Sequence, residues 1–145
     1  MYTKQISVFL ENNTGSLSAM TKALGECGVD LYALSIADSD TFGVLRCVTK
    51  SDDNPKALNA LRTNGYTARV SDVICVCVPD KPAGLAEVLE LLEKNDLSIE
   101  YVYSFVRNTG VEAHLIFKLS EPEKALKVFA EAGIKILSQE QVDLL

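Results

Sequence analysis

The chain has 145 residues, with 20 acidic against 14 basic side chains and a net charge of −6. That length holds one ordinary domain or two small ones of about 70 residues, and 48% hydrophobic residues exclude disorder throughout. The acidic balance argues against non-specific nucleic-acid binding, which needs Lys and Arg to displace counterions, and the apolar runs are too short to span a membrane.

Asn, Glu and Thr interrupt the first residues, unlike a signal peptide, so the expectation is a cytoplasmic protein without nucleic-acid or membrane partners. Ile6, Val8 and Leu10 alternate as a half-buried strand does. A polar turn over residues 11–15 follows. Leu17, Met20, Leu24 and Cys27 then recur at helical spacing, which predicts an apolar stripe closed by Gly28. A second strand is predicted over residues 30–37, a turn at Asp38-Ser39-Asp40 and a third strand over 42–49. Asn54-Pro55 starts a helix carrying Ala57, Leu58 and Leu61; Gly65 ends it and a short fourth strand follows.

The pattern then starts again. Sliding the chain by 68 positions places Ile6 on Ile74, Val8 on Val76, Leu17 on Leu85, Leu24 on Leu92, Lys50 on Lys118, Ala57 on Ala125 and Gly65 on Gly133, without a gap. The second copy predicts strands at 74–78, 98–106 and 111–119. Its first helix carries Leu85, Val88, Leu89 and Leu92 and closes at Asn95-Asp96, and its second carries Ala125, Leu126 and Phe129. Asn108-Thr109-Gly110 reads as its hairpin turn. The order is β-α-β-β-α-β twice: an α+β chain of two ferredoxin-like modules, residues 1–72 and 73–145, with antiparallel sheets and helices on one face.

The loop after each first strand is the chemically useful place. A helix N-terminus presents unpaired N–H groups that suit a carboxylate, Gly15, Ala83 and Gly84 allow close approach, and Asn12, Asn13 and Asp80 can accept from an ammonium group. The alternative is simple capping by Thr14, Ser16 or Asp80. Glu-Asn-Asn-Thr-Gly-Ser-Leu (11–17) and Pro-Asp-Lys-Pro-Ala-Gly-Leu (79–85), set in this duplicated pattern, resemble the ACT domains, amino-acid-sensing regulatory modules. The resemblance implies a non-catalytic tandem ACT protein, without cofactor, whose modules pair side by side. It also implies a free amino acid as ligand at the module boundary, a homodimer and a separate enzyme partner. The ligand-binding residues it implies are Asn12, Asn13, Thr14, Gly15, Ser16 and Leu17, with Asp80, Lys81, Pro82, Ala83, Gly84 and Leu85. The opening residues also resemble the small regulatory subunit of acetolactate synthase, and a ligand-free interaction module is the remaining reading.

Tyr101, Tyr103 and Phe105 alternate towards one sheet face, either as packing or, for Tyr101 and Tyr103, as a pocket wall; Ala33, Ser35 and Ala37 stand at the same repeat positions. Arg46 and His114 share a position in the 68-residue register and are expected on the open sheet face, in solvent or in an association surface. Cys27, Cys47, Cys75 and Cys77 are expected to be buried, reduced and apolar in role. No metal site is expected from one histidine and scattered thiols. The two halves carry net charges of −1 and −5.

Overall fold

The computed structural model describes residues 1–11, 13–106 and 110–145. They form two compact units, one of residues 4–71 and one of residues 1–3 with 72–145. The first contains β1 (Thr3–Glu11), α1 (Ser16–Glu26), β2 (Ala33–Asp38), β3 (Phe42–Val48), a 3-10 turn (Ser51–Asp53), α2 (Asn54–Thr63) and the start of β4 (Thr67–Pro79). β3 lies antiparallel between β2 and β1, and β4 neighbours β1. Ile6, Val8, Leu10, Leu45 and Cys47 from the sheet close over Met20, Leu24, Ala57 and Leu61 from the helices.

The second unit contains the rest of β4, α3 (Gly84–Lys94), β5 (Ile99–Ser104), β6 (Glu112–Leu119), α4 (Pro122–Glu131), β7 (Ile136–Leu137) and α5 (Gln139–Val142). β4 pairs antiparallel with β6 and β7, and β6 with β5. Its core joins Ile74, Val76, Val78 and Phe117 to Val88, Leu92 and Phe129, and Tyr2 packs against it. In β4 every residue from Val73 to Val78 is buried, because the strand has neighbours on both edges and side chains covered on both faces. The fold is α+β in two ferredoxin-like modules, as the sequence predicts. The sequence expects a short fourth strand after Gly65 and a separate strand at 74–78; the structure runs them together as the single 13-residue β4.

Helix ends follow one rule. At Gly28, Gly65, Asp96 and Gly133 the chain turns left-handed, and the next residue's N–H reaches back to the carbonyl five positions earlier: Val29 to Leu24, Tyr66 to Leu61, Leu97 to Leu92 and Ile134 to Phe129. Three of these positions are glycine, as the stop signals predict, and Asp96 is the exception.

Strand pairing corrects the gapless repeat. Ile6 faces Cys47 and Val8 faces Leu45 in the first unit, while Ile74 faces Phe117 and Val76 faces Leu115 in the second. β1 and β4 therefore correspond at 68 positions, but β3 and β6 at 70. Asn108 and Thr109 of the expected turn lie outside the described residues. The β5–β6 register spans two residues more than the β2–β3 register, and the first unit regains those two at the 3-10 turn before α2, where Thr49 Oγ1 donates to buried Asn54 Oδ1 at 3.0 Å. Hence Val44, not Arg46, corresponds to His114, and Val48, not Lys50, to Lys118. A slip of two keeps every side chain on its original face, so the inferred facing survives although the pairing does not.

Two further expectations are corrected. Cys27 is exposed; it is the C-terminal cap of α1, where the apolar stripe leaves the sheet. Leu17 and Leu85, in the first turns of α1 and α3, are 40% and 37% exposed. Those turns adjoin the loops and not the sheet, and the helix cores begin at Met20 and Val88.

Candidate functional site in the strand-to-helix loops

Both loops close by the same turn. Ser16 N–H donates to Asn13 O at 3.2 Å in the first, and Gly84 N–H donates to Lys81 O at 3.0 Å in the second. The residue capping each helix is left-handed: Gly15 at φ 89° and Ala83 at φ 66°. Neither cap supplies a side-chain hydrogen bond, so capping by Thr14, Ser16 or Asp80 is not realised. Ser16 N–H is engaged by Asn13 O, but among the described residues no cap side chain takes the next donors of that first turn.

Around the first loop these donors border a cavity of about 140 Å³, lined by Leu10, Glu11, Asn13, Ser16, Leu17, Ile36, Asp38 and Gly43. A group the size of benzene occupies a cavity of about 150 Å³. Three of the residues read from the sequence, Asn13, Ser16 and Leu17, line it. Thr14 and Gly15 shape the turn without lining the cavity, and Asn12 lies outside the described residues. Asn13 Nδ2 donates to Glu11 Oε2 at 2.9 Å, so the amide that was expected to meet an ammonium group instead orients a carboxylate. A second cavity of about 300 Å³, lined by Phe9, Glu11, Ser16, Asn64, Gly65, Tyr66 and Thr67, shares Glu11 and Ser16 with the first.

The sequence reading missed Glu11, Ile36 and Asp38. Asp38 stood in view as turn chemistry, but only strand order shows that the end of β2 returns beside the loop. Glu11 and Asp38 give this cavity two carboxylates, while the start of α1 gives it N–H donors.

The second loop is built differently. Lys81 pairs with Glu87 at 3.3 Å, and Asp80 N–H donates to Val111 O at 3.4 Å. Pro82 and Leu85 are exposed and Gly84 is buried; a methyl group at Gly84 would stand 2.3 Å from the carbonyl oxygen of Pro79. Tyr101 and Tyr103 lie on the sheet face opposite the helices, with rings 6.3 Å apart, and Tyr103 packs level with Ile116 on β6. Elsewhere, a cavity of about 480 Å³ at the start of α4 is lined by Glu121, Pro122, Glu123, Lys124 and Lys127 and shares no residue with either loop.

On that same face His114 is buried, against its expected exposure, because Phe105 stacks edge-on to its ring at 5.9 Å. Arg46 is half-buried. Among the described residues no helix is long and apolar enough to cross a membrane.

A family model described as an ACT domain pair matches residues 1–145. The solved structure of protein BT0572 from Bacteroides thetaiotaomicron is 34% identical, with 100% of this chain and 98% of that one covered and a TM-score of 0.89. The ligand-free regulatory subunit of aspartate kinase from Thermus thermophilus is 19% identical over 89% of this chain and 91% of that one, with a TM-score of 0.66. The corresponding subunit from Thermus flavus is 20% identical over the same shares, with a TM-score of 0.62. No curated protein matches the chain.

Proposed function

We propose that this chain, which belongs to the ACT domain pair family over its whole length, binds a free amino acid at the loop entering α1 and passes that occupancy to a separate enzyme. ACT modules are regulatory and non-catalytic, they generally bind amino acids, and a regulatory role for this chain rests on that membership. The ligand, the site and the partner are our reading.

One observation carries it: two carboxylates and an uncapped helix N-terminus border one cavity. An amino-acid zwitterion needs both halves of that arrangement. Its carboxylate takes the α1 N–H donors, and its ammonium group sits between Glu11 and Asp38. The small volume suits a short side chain, with the cavity beyond Glu11 and Ser16 as room for a longer one. A second copy would close the site. β2 stands at one end of the strand order, with Ile36 and Phe42 46% and 51% exposed beside it, which supports a homodimer. Binding then favours one assembly or enzyme contact by no more than its differential affinity for the two states. Both halves match ACT modules, so the acetolactate synthase small subunit reading lacks the differently built second half it requires.

A thermal-shift panel of the twenty amino acids, followed by calorimetry on any hit, tests the proposal. Glu11→Gln and Asp38→Asn should each weaken the hit by about tenfold or more, the loss expected for a charge-assisted hydrogen bond, and Asn12→Ala should weaken it less. Asp80→Ala reports separately on the second loop. A flat panel at millimolar concentrations sinks the sensor reading in favour of a ligand-free interaction module.

A further inference from the structure

Cys77 on β4 faces His114 on β6 as a direct cross-strand pair, and Glu112 precedes His114 by two positions on the same face. One ligating atom from each of the three lies within 4.8 Å of the other two. Cys77 and His114 are each only 6% exposed, while Glu112 is half-buried and opens the group to solvent. We propose that Cys77, Glu112 and His114 form a binding site for a zinc-type divalent cation in the second unit.

The donor set suits that class: thiolate, imidazole and carboxylate are the ligands of four-coordinate zinc, and three of them leave the fourth position to water or an added ligand. Bond lengths of about 2.0–2.3 Å place tetrahedral ligand atoms about 3.3–3.8 Å apart, so a spacing of no more than 4.8 Å has at most about 1–1.5 Å to close, within reach of side-chain rotation. The supporting contacts are also present. The edge of Phe105 holds the His114 ring, and Cys77 N–H donates to Lys135 O at 2.9 Å, fixing the thiol's strand.

Lys135 already acts as a tethered cation. Its Nζ lies 3.0 Å from Glu112 Oε2, on a side chain 56% exposed and able to swing away. Zinc binds the thiolate, so occupancy of the site releases the Cys77 proton to solvent. The repeat supplies an internal contrast. Phe9, Phe42 and Val44 occupy the corresponding places in the first unit, so the fold itself does not require this set. The expectation of no metal counted histidines and thiols and left out the carboxylate two positions before the histidine.

Cobalt(II) titration of the chelator-treated chain, in a Cys27→Ser background that removes the exposed thiol, is the test. The expected result is a thiolate-to-cobalt absorption that saturates at one ion per chain and is displaced by zinc(II). Cys77→Ser should abolish it, His114→Gln should weaken binding by about tenfold or more, and Lys135→Met should tighten it by freeing Glu112. If Cys77→Ser does not fold, the Lys135→Met comparison decides instead. Absence of the thiolate band at one equivalent overturns the site. So does a band indifferent to Cys77→Ser in a folded variant, or zinc affinity unchanged in both Lys135→Met and His114→Gln.

Discussion

Ala83 pays a backbone cost that Gly15, its counterpart, avoids. A left-handed alanine costs about 1–2 kcal/mol, while glycine's extra chain entropy returns about 0.5–1. Ala83→Gly should therefore stabilise the protein by up to about 1 kcal/mol in chemical denaturation. The adjacent residue behaves oppositely: Gly84→Ala drives a methyl group into Pro79 O and should cost about 1–3 kcal/mol. Thr3 Oγ1 is buried without a hydrogen-bond partner among the described residues. Thr3→Val keeps the shape and removes the desolvated hydroxyl, a gain of about 1 kcal/mol. Burial pushes the Cys47 thiol from 9.0 up to about 12. The folded state thus holds this proton more tightly than the unfolded state. Its contribution is full below pH 9 and is lost as pH rises towards 12. Denaturation midpoints should fall across that window, and fall less in Cys47→Ala. Native alkylation at pH 8 should label Cys27 alone, since the other three thiols are buried, and unfolding should expose all four.

At the scale of elements, the apolar stripes of α1 and α3 were legible from spacing, but their first members were not core. Leu92→Ala removes a side chain only 1% exposed and should cost about 2–5 kcal/mol, whereas Leu85→Ala, at 37% exposure, should cost less than about 1. Equal losses would mean that the first turn of α3 packs as a core element after all. Turn and stop residues located the elements well because they act locally: Gly28, Gly65 and Gly133 end helices whatever surrounds them. Register between strands is not local. The two-residue difference between hairpins is cancelled by the 3-10 turn before α2, so a comparison of the halves by position alone returns a false match at Arg46 and His114. For the same reason Asp38 and Glu112 went unread: each gains meaning from a neighbour that the chain reaches only by doubling back.

At the scale of the molecule, duplication was visible in the 68-residue period, and with it the family to which the chain belongs. What the period could not show is how far the copies have diverged in chemistry. The first copy has a loop bordered by carboxylates, and the second has a Cys–Glu–His cluster where the first carries Phe9, Phe42 and Val44. If these are separate sites, Asp38→Asn should weaken the amino acid and leave cobalt binding unchanged, with the reverse for Cys77→Ser; paired calorimetric titrations read both. Tyr2 adds a consequence for dividing the chain. It packs against the core built from residues 72–145, and residues 1–3 group with that unit. Cutting between residues 71 and 72 would not return two self-contained modules, since the fragment beginning at Asp72 would lack the aromatic ring that packs on its own core.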